Sequence, residues 1–563
     1  MRRYLPFILF AVIAFTFLPW LGDTLFNTKG EPREAIVAVS MIQSGNYILP
    51  ESCGGDIPYK PPFLAWLIVA CSWLTGGVNE YASRLPSALA TIGMLIGVYL
   101  FVRRRALNEK FPDLLAALAT AVTATTIEVF RAATACRVDM VLTACIVGAI
   151  LFINRRREKD GKPTMSTWGT ILMTCAVLTK GPVGMILPCL ICWIYFMLRG
   201  DKLWRTTWTV GLAGLTSLAG YLLWLNVAYI IGGKPVIDLV LEENFGRMLG
   251  TMSYESHVNP WYYNIITVIA GMLPYTLPAI FALFVVKIKT PYWGHIRNDL
   301  KTMAPPNLLS LVAIVVTLVF YTIPASKRSV YLLPLYPFLS YLVARMLIWL
   351  AMIRSKAITV YGSIIGGLAL LVPIVTVVAT SVDFTKIIHG LTPELEAMIS
   401  GLYDHGISYV GWICLAASVG AAYMVFASIK KLRKAYTLIW TVAATFTIYW
   451  CLSSTILPGV LNSKSDIRYA NVLSRYAAPD EIIYSYVDTP MLRYYTAGYY
   501  LGDRVVPIQG RSPRGGYLLV GEKDLTKFMK RYGDAYDYSV IYRSSTKSCD
   551  TRQKTLILRI DHK

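Results

Sequence analysis

Several groups of ionisable residues border the long apolar segments of this chain, and they are its best candidates for chemistry. The first group places Glu31, Arg33 and Glu34 beside one proline and Lys60 beside two others. A carboxylate can take a proton or orient a hydroxyl, and fixed cations stabilise negative charge on a leaving group. Composition alone favours a simpler interpretation, in which these are solvated loop charges.

A second group consists of Arg131, Arg137 and Asp139, which bracket a turn between two apolar segments. Asp139 is followed at once by an apolar run. A carboxylate at the end of a membrane span is costly unless it is paired or faces water. Pairing with Arg137 would satisfy it, so spacing alone favours a structural and a functional role equally.

The remaining groups lie in residues 242–247, 256–263 and 326–331. Lys327 and Arg328 stand at the start of an apolar segment, on the side where the membrane-charge rule expects few cations. An anionic partner would account for them. A lipid headgroup is the simpler partner, and a phosphate-bearing substrate is the functional one.

The elements that must position these groups are membrane spans. Of the 563 residues, 55% are hydrophobic and only 15% are charged, whereas about 25% is usual for a soluble domain. Apolar runs long enough to cross a bilayer recur about thirteen times. Examples are residues 7–25, 85–102, 208–231, 262–286 and 330–350.

The distribution of positive charge predicts the orientation of these spans. The net charge is +21, but the arginine and lysine clusters lie between apolar runs and fall on one face if every run crosses. This is the positive-inside pattern, and it argues against a nucleic-acid partner. It places the N-terminus in the cytoplasm and the C-terminal region outside. No small-residue cleavage site follows the first run, so we interpret it as a retained span.

Outside loops and the tail complete the predicted fold. Proline and glycine signals predict interfacial helices at residues 32–44 and 63–74. Short β-type runs predict strands at 482–486, 505–508, 517–520, 539–542 and 556–560. The prediction is a mainly α polytopic transmembrane helical bundle (1–460) with a catalytic first outer loop (27–79), an outer covering loop (232–260) and a small extracytoplasmic α/β domain (461–563).

Six motifs in order then carry a family resemblance. They are Glu31-Pro32-Arg33, residues 59–66, residues 83–87, Arg137-Val138-Asp139-Met140, residues 243–247, and residues 326–337. Over residues 1–350 the chain resembles C-type glycosyltransferases of the protein O-mannosyltransferase and lipid A 4-amino-4-deoxy-L-arabinose transferase superfamily.

The resemblance implies roles for individual residues. Lys60 matches the lysine that contacts the donor phosphate, Asp139 matches an aspartate at the membrane edge of the active site, and Glu31 falls in the acidic motif that usually supplies the catalytic carboxylate. Arg247 and His257 fall in the covering loop. The residues expected to bind the donor phosphate or substrate are Arg33, Tyr59, Arg247, His257, Lys327 and Tyr331.

The chain also departs from the family pattern at three positions. Gly30 replaces an acidic residue, Glu34 replaces a tyrosine, and Tyr59 replaces an acidic residue that often precedes the lysine. These changes leave the choice of base open among Glu31, Glu34 and Asp139. They also weaken the case for arabinose as the sugar.

The resemblance implies transfer of one sugar, with inversion, from undecaprenyl phosphate to lipid A, another glycolipid or a protein at a bacterial inner membrane. A protein O-mannosyltransferase-like enzyme or a glycan ligase is the nearest alternative, and a lipid-linked sugar transporter or flippase is more distant. No cofactor is expected. The five histidines are scattered and indicate no metal, although a divalent ion stays an open alternative.

Overall fold

The computed structural model describes residues 4–106, 109–246, 258–284, 300, 302–353 and 355–563. Its N-terminal half is helical. The helices are α1 (Leu5–Phe17), α2 (Pro32–Ser44), α3 (Phe63–Thr75), α4 (Glu80–Arg105), α5 (Pro112–Thr125), α6 (Ile127–Ala133), α7 (Val138–Asp160), α8 (Thr167–Lys180), α9 (Val183–Leu198), α10 (Leu203–Gly232) and α11 (Lys234–Leu241).

The helices continue through the second half of the bundle and into the tail. They are α12 (Tyr263–Gly271), α13 (Thr276–Leu283), α14 (Pro305–Thr322), α15 (Tyr336–Met352), α16 (Lys356–Ser381), α17 (Pro393–His405), α18 (Tyr409–Lys430), α19 (Lys434–Cys451), α20 (Leu457–Asn462), α21 (Ile467–Leu473), α22 (Tyr495–Tyr500) and α23 (Glu522–Tyr532). A 3-10 turn over Ser329–Leu335 leads into α15.

The predicted polytopic bundle is confirmed. Within the described residues, eight helices are long and apolar enough to cross a membrane, or up to ten if each of two bent pairs is one span. Three shorter apolar helices, α1, α3 and α9, add to the bundle. The predicted number of about thirteen spans stays a prediction, because length and composition do not settle which of the shorter helices cross.

Two predicted spans are interrupted. The first helix ends at Phe17, and turns follow before residue 25. The segment predicted over residues 262–286 is split into α12 and α13, which bend by 108°. Pro274 lies within the break, between Gly271 and Thr276; proline has no backbone N–H to donate and therefore favours interruption of a helix.

The first loop, between α1 and α4, contains both predicted helices. Helix α2 has the predicted bounds, with Pro32 in its first turn and Gly45 at φ 69° as its left-handed C-terminal cap, a conformation that glycine adopts without strain. Helix α3 ends one residue later than predicted and is also capped by a glycine, Gly76, at φ 75°. Together these helices hold the first motif and Lys60 above the bundle.

The tail forms a five-stranded sheet of order β2-β1-β3-β5-β4. Its strands are β1 (Ile483–Tyr486), β2 (Val505–Pro507), β3 (Gly515–Gly521), β4 (Tyr536–Arg543) and β5 (Thr555–His562). Strands β2, β1 and β3 run parallel to one another, and β5 pairs antiparallel with both β3 and β4. All five predicted strands are present, with bounds shifted by a few residues.

The tail domain packs directly on the first loop. The Asp503 carboxylate accepts from the Cys53 N–H and from the Ser40 hydroxyl, both at 2.8 Å. Arg493 forms an ion pair with Asp56 at 2.9 Å. These contacts join the tail domain to helix α2 and to the chain that follows it.

Candidate active site

The first-loop cations and carboxylates meet in one cluster. Glu34, in the first turn of α2, contacts the Lys60 ammonium across 26 residues of chain. Arg33 lies 3.5 Å from the same Glu34 oxygen. The Arg33 guanidinium and the Lys60 ammonium lie 4.9 Å and 5.3 Å from the centre of the Tyr59 ring, so both cations pack on this aromatic ring. The glutamate and lysine side chains are only 11% and 19% exposed.

A second ion pair adjoins this cluster. Asp139, in the first turn of α7, contacts the ammonium of Lys180 at the end of α8. That ammonium lies 4.3 Å from the centre of the Tyr331 ring, and the Tyr331 ring lies 5.5 Å from that of Tyr321. The N-terminus of α7 stabilises the carboxylate through its helix dipole. The charges of Asp139 and Lys60 also interact electrostatically, which links the two pairs.

Glu31 is held apart from this cluster in a buried network. Its two oxygens accept from the Arg84 guanidinium at 2.8 and 3.2 Å, and the first oxygen also accepts from the Cys136 N–H at 2.9 Å. Arg84 in turn donates to the Leu21 carbonyl at 2.8 Å and to the carbonyl and hydroxyl of Thr24. Both charged side chains are under 10% exposed.

This network fits a structural role for Glu31. A buried charge is tolerated when it is paired and its hydrogen-bonding capacity is used. Burial raises the pKa of Glu31, but the charge and hydrogen bonds of Arg84 lower it further, so the net pKa lies below its ordinary value. The carboxylate ties α2, α4 and the turn before α7 together.

Arg137 does not form the pair that spacing suggested for Asp139, which contacts Lys180 instead. The Arg137 guanidinium lies over Gly30, where a Cβ would come within 2.7 Å of its Cζ. Any side chain at position 30 would displace it. Position 30 has no side chain, so the carboxylates of the motif Gly30-Glu31-Pro32-Arg33-Glu34 are those of Glu31 and Glu34.

The other predicted binding residues are placed differently. The Lys327 ammonium is buried and donates to the Pro324 carbonyl at 2.8 Å, within its own loop. Tyr331 lies at the site against Lys180, as described above. Arg247 and His257 fall outside the described residues, so their predicted roles stay predictions.

Electrostatics couple the residues of the Lys60 cluster. Burial raises the pKa of Glu34, but Lys60 and then Arg33 lower it more strongly, so it lies below its ordinary value. Burial lowers the pKa of Lys60, and the nearby Glu34 carboxylate offsets only part of this decrease. Burial also lowers the pKa of Arg33, yet Tyr59 and Glu34 raise it above the ordinary range. The carboxylate is thus ionised and the guanidinium is charged at neutral pH.

Sequence reasoning missed Lys180, although a signal for it existed. It ends an apolar helix just before Gly181 and Pro182. On the predicted orientation it is a cation on the outer side, the same anomaly that drew attention to Lys327. The structural role of Arg84 was missed as well, because its partner Glu31 is 53 residues away in sequence.

One group of potential metal ligands occurs among the described residues, and it lies in the tail domain. The ligand atoms of Asp466, Cys549 and Asp550 are within 4.8 Å of one another. Both carboxylates are already engaged: Ser548 donates to Asp466 at 2.5 Å, and the Thr496 hydroxyl donates to Asp550 at 3.0 Å. These bonds account for the group as part of the domain core.

Known proteins share this architecture. A family model described as dolichyl-phosphate-mannose-protein mannosyltransferase matches residues 59–225, which include Lys60, Asp139 and Lys180. The crystal structure of ArnT from Cupriavidus metallidurans bound to undecaprenyl phosphate superposes with a TM-score of 0.70, at 17% identity, over 98% of this chain and 97% of that one. This likeness shows the fold.

Sequence relatives point the same way. The protein named undecaprenyl phosphate-alpha-4-amino-4-deoxy-L-arabinose arabinosyl transferase of Pectobacterium atrosepticum is 24% identical over 73% of this chain and 70% of its own length. An uncharacterized protein of Aquifex aeolicus is 26% identical over 57% of this chain. The matched region spans 60% of that relative's length.

The chain is similar, in fold and in several sequence segments, to membrane glycosyltransferases of the superfamily that contains the dolichyl-phosphate-mannose-protein mannosyltransferases and ArnT. The resemblance noted from the six motifs is thereby confirmed. The cluster around Lys60 holds cations in a poorly exposed site next to carboxylates, an arrangement that can stabilise negative charge on a leaving group and receive a proton.

Proposed function

We propose that this glycosyltransferase moves a single sugar from a polyprenyl-phosphate donor to an extracytoplasmic acceptor, with inversion at the anomeric carbon. A lipid A-like glycolipid is the first candidate acceptor. The observation that carries the proposal is the poorly exposed cluster of Lys60, Arg33 and Glu34, which is followed in the chain by a segment that lines an apolar groove. Lys60 stands three residues before Phe63, which lines a cavity of about 550 Å³.

The groove suits a polyprenyl tail. It runs between helices α3, α4, α7 and α8. One end is lined by Phe63 and Leu67, and the other by Arg104 and Arg155, near the C-terminal ends of α4 and α7. Its lining is apolar along nearly all of its length. Within a bilayer, an apolar chain binds such a lining through van der Waals packing, as membrane helices bind one another. A lipid lying in it would bring its phosphate to Lys60.

The names of relatives support the same donor class. The ArnT structure is of a protein bound to undecaprenyl phosphate, and the Pectobacterium relative is named for an undecaprenyl-phosphate-linked sugar. The sugar itself is left unspecified, because Gly30, Glu34 and Tyr59 depart from the arabinose-transferase pattern.

The chemistry we propose is one displacement. An acceptor oxygen attacks the anomeric carbon, the bond to the phosphate oxygen breaks, and its electron pair leaves with the lipid phosphate. Lys60, with Arg33, stabilises the charge that builds on that phosphate. Asp139, held by Lys180, and Tyr331 complete the site, and a carboxylate orients the acceptor or takes its proton. Attack opposite the leaving group inverts the configuration.

The proposed setting is the bacterial inner membrane, crossed many times, with the N-terminus in the cytoplasm. The cluster around Lys60 and the tail domain then face the extracytoplasmic side. Lys327, Arg247 and His257 are proposed to border the substrate there. This arrangement would let the bilayer deliver the donor laterally to the groove.

Mass spectrometry of lipid A, membrane lipids and surface proteins tests the proposal in cells with and without the gene. The account predicts loss of one single-sugar mass from one acceptor. Loss of a whole glycan would favour a ligase, and a protein acceptor would favour the mannosyltransferase-like alternative. No change in any glycoconjugate would contradict the proposal and favour transport.

A further inference from the structure

Three carboxylates are candidates for the base, and their partners separate them. Glu31 is committed to Arg84 and the Cys136 N–H in a buried network. Asp139 is committed to Lys180, which is packed on the Tyr331 ring. Both are therefore anchored by groups that have structural partners of their own.

Glu34 is placed differently. Its carboxylate contacts the Lys60 ammonium directly and lies 3.5 Å from the Arg33 guanidinium. These are the two cations that the proposed function assigns to the donor phosphate. A carboxylate and a phosphate ester are both anions that accept hydrogen bonds from the same ammonium. Two anions that share the single charge of Lys60 repel each other, so the phosphate weakens the contact between Lys60 and Glu34.

We propose that Glu34 and the donor phosphate compete for Lys60, so that donor binding displaces the Glu34 carboxylate and frees it for the acceptor. This inference rests on the proposed function and adds a residue to it. Before the donor arrives, Glu34 neutralises an ammonium that would otherwise be buried without a counter-ion, which is costly. Once the phosphate has replaced it, the carboxylate stands close to the reacting centre.

The displaced carboxylate is suited to be the base. Lys60 is the strongest of the charges that lower its pKa, and Arg33 is the next, whereas burial and Asp139 raise it. Transfer of Lys60 to the phosphate therefore raises the proton affinity of Glu34. For a hydroxyl acceptor, the oxygen attacks the anomeric carbon, the bond to phosphate breaks with its electron pair, and the acceptor proton passes to Glu34.

The test measures the affinity of the purified full-length protein for undecaprenyl phosphate by titration in detergent. Glu34→Gln removes the competing charge and keeps the size of the side chain. We expect it to bind undecaprenyl phosphate about tenfold more tightly than wild type, as about 1.4 kcal/mol of lost competition would give, while sugar transfer in cells is lost. Glu34→Ala serves as a second variant, with the same two expectations.

The matched control is Glu522→Gln, the same substitution in an ion pair with Arg543 in the tail domain. It should leave both affinity and transfer unchanged. Equal or weaker binding by both Glu34 variants, with wild type binding normally, would overturn the inference alone. Tighter binding with full transfer would remove Glu34 from the base role and overturn it too. Failure of the wild type to bind would instead overturn the proposed function, and the inference with it.

Discussion

The ammonium of Lys180 contacts the carboxylate of Asp139 and lies over the ring of Tyr331. This relationship joins α7, α8 and the turn before α15 at the edge of the bundle. It means that neither charge acts alone. The lysine fixes the carboxylate, and the carboxylate and the Tyr331 ring hold the lysine.

Asp139→Asn and Lys180→Met should each reduce transfer by about 100-fold or more, the range for loss of one positioned electrostatic contact. The double variant should lose little beyond either single one, because the two residues act as a unit. Transfer rates of the four proteins, compared at equal protein level, check this. Losses that multiply in the double variant would show that the residues act independently.

Glu31→Gln should act on stability, because it breaks a buried pair and leaves the Arg84 charge without its partner. Loss of one partner of such a pair costs about 3–5 kcal/mol. Thermal unfolding should therefore shift clearly for Glu31→Gln and by less for Glu34→Gln, because the partner of Glu34, Lys60, is 19% exposed whereas Arg84 is 2% exposed. If Glu31→Gln loses transfer but keeps the melting temperature of wild type, the result would contradict a structural role and identify Glu31 as the catalytic base.

A glycine that lines the groove offers a test of whether the lipid tail lies there. A Cβ on Gly93 would meet no atom within 4 Å, and Gly93 lines the groove. Gly93→Leu should fold normally, since leucine favours a helix more than glycine does, but its side chain should fill the groove. Affinity for undecaprenyl phosphate should then fall, while affinity for a short-chain prenyl phosphate changes less.

Gly420→Leu is the matched control, because Gly420 is also helical, exposed and open around its Cβ but lies on α18, away from the groove. It should bind the long-chain lipid as wild type does. Equal affinity of the Gly93 and Gly420 variants would show that the tail does not lie in this groove.

The docking of the tail domain should depend on pH through Asp503. Burial raises the pKa of Asp503 from 3.8 to about 6, and the nearby Asp56 adds to the rise. The hydrogen bonds from Cys53 and Ser40 lower the pKa, but by less than burial raises it. The docked state thus favours the protonated acid. Stability from this group is fully present below about pH 4, falls as pH rises to about 6, and is constant above.

Melting temperatures of wild type and Asp503→Asn at several pH values measure this effect. The difference between the two proteins should change between pH 4 and pH 6 and then level off. A difference that stays constant across that range would mean that Asp503 titrates normally and does not link docking to pH.

The sequence predicted the helix over Pro32–Ser44 and the five strands because caps and β-type runs are local signals. It predicted the importance of Lys60 through the family resemblance. It left the base open among Glu31, Glu34 and Asp139, since the partners that distinguish them are set by tertiary packing: Arg84 is 53 residues from Glu31, and Lys180 is 41 residues from Asp139. The docking of Asp503 on Ser40 spans 463 residues and has no local signal.

The most direct test of the account is complementation of a gene deletion by Lys60→Ala. Mass spectrometry should show that wild type restores the missing single-sugar product, and so should Lys386→Ala, a control that removes an exposed lysine from its pair with Asp383. Lys60→Ala, present at the same level and with an unchanged melting temperature, should not restore it. Full restoration by Lys60→Ala would contradict the assignment of the donor phosphate to this site.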